Sequence, residues 1–180
     1  ENLVRFAALI SMSNRANGRT GMGAVMGSKN LKAVVVRGKQ KPTIAHPETF
    51  KELQKWGTAN LEATGMDGFG KYGTPGETTS QNKAGGLPTY NFNSGTFDKH
   101  EEIDGITLYN DHLRGHEKDD QNRFGRDTCF SCAVKCKRVT EIAEGPYKTE
   151  AKYGGPEYET IATFGSYCGI SNMDAIIHAN

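Results

Sequence analysis

The sequence lacks the features that mark several large classes of protein. Its 22 lysines and arginines nearly balance its 21 aspartates and glutamates, giving a net charge of +1. No strongly basic field therefore predicts a nucleic-acid partner. No apolar run approaches the ~20 residues that a membrane-spanning helix needs, and no internal repeat is present. We therefore predict a protein that acts without a nucleic-acid or membrane partner.

Cysteine is scarce, and its spacing argues against a disulfide framework. Of the four cysteines, Cys129, Cys132 and Cys136 crowd into one short stretch, too tightly to join distant segments. Such clusters are typical of metal binding in a reducing compartment. The pattern therefore predicts a metal site and a cytoplasmic location.

The spacing of these three cysteines favours an iron–sulfur cluster. In Cys129-x-x-Cys132-x-x-x-Cys136 the third thiol is expected one helical turn after the second, so that three thiolates occupy three corners of a cubane. A tetrahedral zinc site remains an alternative. Cys168 lies between two predicted helices and is expected to be a core residue, so we expect the fourth ligand from elsewhere.

Three basic residues flank the third cysteine of the motif, namely Lys135, Lys137 and Arg138. Positive charge near an iron–sulfur cluster stabilises its reduced form. The sequence therefore predicts that these cations lie beside the cluster.

A glycine-rich segment, residues 15–23, precedes the cysteines by about a hundred residues. Glycines beside arginines allow the backbone to bind phosphate, but they also suit a tight packed turn, and both interpretations stay open. A Walker loop is excluded because Gly27-Ser28-Lys29 has the wrong order. A dinucleotide fingerprint is excluded because a strand, not a long helix, is predicted to follow.

Hydrophobic periodicity gives a coarse secondary structure. Residues 31–36 contain three consecutive valines and predict a buried strand. Helices are predicted over residues 47–61, 156–167 and 171–180, with Gly169 ending the second of these. Residues 65–104 are rich in Gly, Asn and Thr and predict mostly loop. Since the chain starts at Glu1 and ends within an apolar-periodic segment, we expect an internal fragment.

Three motifs in order resemble the aldehyde ferredoxin oxidoreductase family. Residues 18–38 match one signature, Gly154-Gly-Pro-Glu-Tyr-Glu-Thr160 matches another, and the cysteine motif lies between them. The resemblance implies an α+β fold: the end of a sheet-rich, pterin-binding N-terminal domain over residues 1–45, then the start of a mainly helical domain over residues 46–180.

The resemblance also implies an activity and its cofactors. Family members oxidise aldehydes to carboxylic acids at tungsten, sometimes molybdenum, held by two pterins, and pass electrons through one [4Fe–4S] cluster to ferredoxin. A homodimer is possible on the same resemblance. The positions that match cluster ligands are Cys129, Cys132 and Cys136. The positions that match contacts to the pterin or its phosphate, or share their loop, are Arg15, Ala16, Gly18, Arg19 and Gly21.

Two further positions follow from the resemblance. Of the acidic pair Glu157 and Glu159, the match favours Glu159 as the catalytic carboxylate near the metal, while a helix first turn would also explain both. Some members bind iron between subunits through a glutamate where this chain has His178, so we expect His178 to be a helix-surface residue.

Two other functions stay open at this point. The same family includes the metal-pterin subunit of an aryl-CoA reductase of the benzoyl-CoA type, which would keep the fold and change the substrate. Outside enzymes, the cysteines could form a zinc-stapled binding module. A brown protein would indicate a cluster, and a colourless one would indicate zinc.

Overall fold

Among the residues that the structure describes, buried apolar side chains occur only in the C-terminal part of the chain. A computed structural model describes residues 2, 4–118 and 122–180. The chain divides into two compact units, residues 1–50 and residues 51–180. None of the described residues of the first unit is buried, whereas the second unit contains a contiguous apolar core.

The described part of the first unit contains a short hairpin and a helix, and a second helix begins at its C-terminal end. Strand β1 (Leu9–Ser11) pairs antiparallel with β2 (Arg15–Asn17). Met12 and Ser13, in the turn between them, adopt φ angles of 55° and 66°, the left-handed values that a short hairpin turn often requires. Helix α1 (Met22–Ser28) follows within a few residues.

The predicted buried strand over residues 31–36 is wrong. This run has no regular secondary structure, and Val34, Val35 and Val36 are 71%, 92% and 81% exposed. A strand forms only when a neighbour supplies ladder hydrogen bonds. In the described part of the chain, no strand pairs with this run. The β-propensity of the valines is therefore not sufficient to form a strand in the described part of the chain.

The predicted helix after Pro47 is confirmed as α2 (Pro47–Ala59), with proline at its first position. The apolar stripe that predicted it is solvent-exposed: Phe50, Leu53 and Trp56 are 44%, 61% and 59% exposed. Helical periodicity thus identified the element correctly without indicating burial.

The prediction of loop over residues 65–104 is wrong in part, because two helices lie there. Helix α3 (Met66–Tyr72) follows Gly65, and α4 (Glu77–Lys83) follows a 3-10 turn at Thr74–Gly76. Glycines mark the boundaries of these short helices, so a sequence window over the segment resembles a loop. The rest of the segment consists of turns and a 3-10 turn at His100–Ile103.

The core of the second unit joins the middle of the chain to its C-terminal helices. One contributor is α5 (Gly105–Thr107), which continues as a π-helical turn over Leu108–His112. The Asp104 carboxylate caps α5 by accepting bonds from Ile106 N and Thr107 N, both at 2.9 Å. The buried apolar residues of this core are Leu87, Phe97, Ile103, Leu108, Tyr109, Leu113, Ile161, Ala162, Met173, Ile176 and Ile177.

Both predicted C-terminal helical segments are confirmed. The first begins as α6 (Tyr158–Thr160) and continues as a π-helical turn and a 3-10 turn. It ends at Gly169, whose φ of 70° is the left-handed value that favours glycine. The second is α7 (Met173–Ala179), capped by the Asn172 side chain, which accepts from Ala175 N at 3.1 Å.

Cys168 is not the core residue that the sequence predicted. Its side chain is exposed at the end of the first of these segments, and its thiol donates to Thr163 O at 3.2 Å. The core-facing positions of that segment are taken by Ile161 and Ala162 instead.

The fold class is α+β, as predicted, since helices accompany two small antiparallel sheets in the described part of the chain. The wider arrangement, with residues 1–45 ending a sheet-rich domain and residues 46–180 starting a helical one, stays a prediction. No described helix is long and apolar enough to cross a membrane.

Candidate metal and cofactor sites

The three clustered cysteines lie on one loop closed by a short strand pair. Strands β3 (Arg126–Asp127) and β4 (Lys137–Arg138) pair antiparallel, and residues 128–136 connect them. We call residues 128–136 the cysteine loop. Its fold is a series of turns, so the predicted helical turn between Cys132 and Cys136 is wrong.

Positive φ angles explain why the loop does not form a helix. Ser131 and Lys135, each directly before a cysteine, have φ angles of 59° and 57°. A right-handed helix cannot pass through such residues. Each therefore turns the chain just before the cysteine that follows it.

Hydrogen bonds fix the loop around Cys132. Its N–H donates to Cys129 O at 3.0 Å, and the Thr128 hydroxyl donates to Cys132 O at 2.7 Å. The backbone N–H of Val134 holds the pKa of the Cys132 thiol below its usual value, with a smaller contribution from Thr128. A backbone donor therefore already favours the thiolate at this position.

Cys136 has the opposite environment. Burial raises the pKa of its thiol, and the nearby Glu157 carboxylate raises it further, while Arg138 lowers it. All four cysteines are free thiols. Among the described residues, no three His, Cys, Asp or Glu side chains are close enough to hold a single metal ion.

Arg138 is the most buried basic residue beside the loop, with a relative exposure of 0%. Its guanidinium donates to Gly70 O at 2.7 Å, to Lys135 O at 3.0 Å and to Lys71 O. Burial lowers the pKa of Arg138 to about 10, so the side chain is still cationic at neutral pH. One buried cation thus joins the end of α3 to the cysteine loop.

The other two predicted cations are placed differently. Lys135 is exposed, and Lys137 Nζ lies 3.4 Å from Glu157 Oε1. Glu157 also accepts a hydrogen bond from the Thr74 hydroxyl, which in turn accepts from Tyr158 N at 3.0 Å. Thr74 was not singled out in the sequence, because its contacts with Glu157 and Tyr158 span more than 80 residues.

Glu157 and Glu159 therefore occupy different environments. Glu157 is half-buried and contacts β4 through Lys137, whereas Glu159 is exposed in the first turn of α6. The structure brings Glu157, not Glu159, to the side of the cysteine loop. The catalytic assignment of Glu159 stays a prediction.

The glycine segment, residues 15–23, belongs to the first unit. Arg15 and Ala16 lie on β2, Gly18 and Arg19 lie in the turn after it, and Gly21 precedes α1 with a φ of 69°. The five residues matched to cofactor contacts thus lie on one continuous stretch of chain. Their predicted contacts with a pterin or phosphate stay predictions.

Two glycines of this unit have structural reasons to be glycine. Gly21 needs its left-handed backbone, and Gly23 N donates to Ala7 O at 2.9 Å. A Cβ at Gly23 would lie 2.3 Å from Ala7 O. A surface cleft of about 420 Å³, lined in part by Gly23, Met26 and Lys32, adjoins this contact. The tight-turn interpretation therefore accounts for Gly21 and Gly23.

His178 is exposed on α7, as expected for a helix-surface residue. Its Nδ1 lies 3.2 Å from Lys148 O and 3.3 Å from Thr149 Oγ1. These contacts join α7 to the segment before Glu150.

Comparison with known proteins agrees with the order of the three motifs. The family model described as aldehyde ferredoxin oxidoreductase, N-terminal domain, matches residues 1–38, and the model described as domains 2 and 3 of the same enzyme matches residues 48–180. The chain belongs to the aldehyde ferredoxin oxidoreductase family.

Several relatives align with the whole, or nearly the whole, length of this chain. Tungsten-containing aldehyde ferredoxin oxidoreductases from Pyrococcus abyssi and Pyrococcus horikoshii are each 37% identical over 182 residues, covering 100% of this chain and 28% of theirs. An aliphatic sulfonate oxidoreductase, WOR-like subunit, from Pyrococcus furiosus is 31% identical over 193 residues, covering 99% of this chain and 27% of its own. The chain thus spans about a quarter of the length of these relatives.

Gly73 offers a test of how closely the cysteine loop packs. Its φ of 63° and ψ of −162° lie in a region that is essentially restricted to glycine. A Cβ there would lie 2.8 Å from Cys136 O and 3.0 Å from Arg138 Nε. We expect Gly73→Ala to destabilise the full-length protein by about 1–3 kcal/mol, measured as a lower midpoint of thermal unfolding.

The matched control is Gly57→Ala in α2, where nothing lies within 4 Å of the added carbon. In a helix interior this change stabilises by about 0.5–1 kcal/mol. Equal unfolding midpoints for the two variants would contradict the close packing described at Gly73.

Proposed function

We propose that the full-length protein oxidises aldehydes to carboxylic acids at a tungsten, or molybdenum, bis-pterin centre and passes the electrons through a [4Fe–4S] cluster to ferredoxin. The observation that carries this proposal is the match of both family models, with relatives named tungsten-containing aldehyde ferredoxin oxidoreductase aligned along the whole chain. The balanced reaction converts an aldehyde and water into a carboxylic acid, two protons and two electrons.

Cys129, Cys132 and Cys136 are proposed as three ligands of the cluster. They are free thiols on one loop, and a backbone N–H already favours the thiolate of Cys132. Thiolate ligands with backbone N–H donors to sulfur are the chemistry that iron–sulfur clusters use, so the donor set fits. When bound, the cluster would supply one-electron transfer. The fourth ligand is proposed to come from another part of the full-length protein, because the remaining cysteine, Cys168, lies in a separate helical segment and not on the cysteine loop.

The glycine segment is proposed to hold the pterin or its phosphate through Arg15, Ala16, Gly18, Arg19 and Gly21. Two arginines supply positive charge, and glycines without side chains let the backbone approach an anion closely. These residues share one exposed or half-exposed stretch of the first unit. That exposure fits a surface that receives a cofactor or another part of the protein.

Glu159 is proposed as the catalytic carboxylate. A carboxylate near the reacting carbon would accept the proton of the attacking water, which is general base catalysis. Its exposure in the first turn of α6 leaves it free of the contacts that engage Glu157. Glu159 is therefore the member of the pair whose side chain is available to a substrate.

The proposed partners follow from the reaction. A small aldehyde is the substrate, and ferredoxin is the electron acceptor. Free cysteines suit a reducing compartment, which supports a cytoplasmic location. A homodimer stays a prediction.

A second candidate keeps the cofactors and changes the substrate. The relative named aliphatic sulfonate oxidoreductase aligns over nearly the whole chain, so an aliphatic sulfonate is a candidate substrate. An aryl-CoA thioester is the remaining alternative within the family. Since the matched relatives extend well beyond this chain, substrate choice depends on the rest of the protein.

Metal analysis and a substrate panel test the proposal. The full-length protein, purified without oxygen, is expected to contain tungsten or molybdenum together with iron and acid-labile sulfide. It is expected to reduce viologen with an aldehyde, and not with an aliphatic sulfonate or an aryl-CoA. Zinc without tungsten, molybdenum or iron would instead indicate the zinc-stapled module.

Serine substitutions test the cysteine assignment. We expect Cys129→Ser, Cys132→Ser and Cys136→Ser each to lower bound iron and sulfide and the broad absorption near ~400 nm that clusters show. Cys168→Ser is the matched control, because that thiol is exposed and contacts only Thr163 O among the described contacts. Loss of iron in the Cys168 variant, with iron retained in the other three, would contradict the assignment.

Glu159→Gln tests the proposed base. It keeps the shape of the side chain and removes its proton affinity, so kcat for aldehyde oxidation should fall by roughly 10²–10⁴-fold with metal content unchanged. Glu150→Gln is the control, since Glu150 is an exposed carboxylate paired with Lys152 at 2.8 Å. Equal kcat values for the two variants would contradict the proposed role of Glu159 as the general base.

A further inference from the structure

Arg138 carries a buried charge whose described hydrogen-bond acceptors are all neutral. Its three acceptors are the backbone carbonyls of Gly70, Lys71 and Lys135, and its Nε has no hydrogen-bond partner among the described atoms. Burying a cation among neutral groups is costly unless a nearby negative charge compensates it. Burial lowers the pKa of Arg138, whereas the Glu157 carboxylate raises it and is one such charge.

The cysteine loop lies directly beside this guanidinium. Lys135, the acceptor in the loop, directly precedes Cys136 in the chain. A Cβ built on Gly73 would lie 3.0 Å from Arg138 Nε and 2.8 Å from Cys136 O. The unpartnered donor of Arg138 is therefore adjacent to the backbone of a proposed cluster ligand.

We propose that Arg138 is a positioning residue that fixes the cysteine loop to α3, and that its buried positive charge raises the reduction potential of the cluster held by that loop. This inference rests on the proposed function, because it requires the cluster. Reduction adds one negative charge to the cluster, and a fixed cation nearby favours the more negative form. Since Arg138 is shielded from solvent, salt screens its effect weakly.

Glu157 is the opposing charge at the same cysteine. Its Oε1 lies 3.4 Å from Lys137 Nζ, and Lys137 directly follows Cys136 in the chain, so the carboxylate and Arg138 both lie beside that cysteine. Glu157 is itself held in place by Thr74 and Lys137. The two residues should therefore shift the potential in opposite directions when neutralised.

A redox titration of the full-length protein tests the inference. Dithionite supplies the electron, and electron paramagnetic resonance follows the reduced cluster. We expect Arg138→Gln to shift the midpoint potential to a more negative value and to lower the unfolding temperature. Arg138→Lys keeps the charge without the planar fork, so it should stay nearer to the wild-type potential while losing stability.

Arg114→Gln is the matched control. Arg114 is half-exposed and pairs with Glu141 at 3.0 Å, so the same charge is removed from a solvent-screened site. Its potential should equal that of the wild type. Arg138→Gln with the same potential as Arg114→Gln would overturn the electrostatic role, and unchanged stability in both Arg138 variants would overturn the positioning role.

Two further outcomes keep the test decisive. If Arg138→Gln does not fold or loses its cluster, Glu157→Gln takes its place. We expect the midpoint potential of Glu157→Gln to be more positive than that of the wild type. An unchanged potential in this variant would count against the inference. If the wild type shows no cluster signal while folding normally, the proposed function fails, and that failure is distinct from an unchanged potential in a protein that holds its cluster.

Discussion

The hydrogen bonds of one guanidinium determine how the cysteine loop sits in the second unit. Arg138 lies on β4, the strand that closes the loop, and its bonds to Gly70 and Lys71 anchor that strand to the end of α3. The last carbonyls of a helix have no partner within the helix, so they are available acceptors. The cation satisfies two of them and a carbonyl of the loop at the same time. The end of α3, β4 and the loop therefore form one connected structure.

Glycine makes that connection sterically feasible. Gly73 ends α3 in a backbone conformation that other residues avoid, and it leaves room for Cys136 and Arg138. Gly155 also approaches β4 closely, since a Cβ there would lie 3.0 Å from Arg138 Cβ. Gly155 belongs to the motif that contains Glu157, so the same close approach brings that motif to β4. Packing of backbone against backbone thus gathers segments that lie far apart in the sequence.

Part of the candidate site could be predicted from the sequence, and the predictions that were wrong have physical causes. The cysteine spacing placed three thiols on one loop, because residues that are neighbours in the sequence must lie near each other, while their role as ligands stays a prediction. The helical geometry between them was wrong, because left-handed residues at Ser131 and Lys135 have no reliable sequence signal outside glycine. The role of Arg138 required knowledge of a contact to Gly70 across nearly 70 residues, which composition and periodicity do not report.

The same contrast holds for the fold. Helices α2 and α7 were predicted because their apolar residues repeat with a local period, and Gly169 was predicted as a stop because helix ends favour left-handed glycine. The strand at residues 31–36 failed because a strand is defined by a partner, and the described part of this chain supplies none. Sequence-based prediction thus succeeded where a local apolar period marks a helix, and failed where structure depends on distant segments or on turns and short helices bounded by left-handed residues.

The exposed valines have a practical consequence for work on the isolated chain. Val34, Val35 and Val36 form an exposed apolar run that joins no described strand, and such a run can pair edge to edge with a second copy of the chain. Phe6, Ile10 and other exposed apolar residues of the same unit add to the exposed apolar surface. Produced alone, the chain would be expected to self-associate through this run, and a charged residue placed within it would be the simplest means of keeping the isolated chain monomeric.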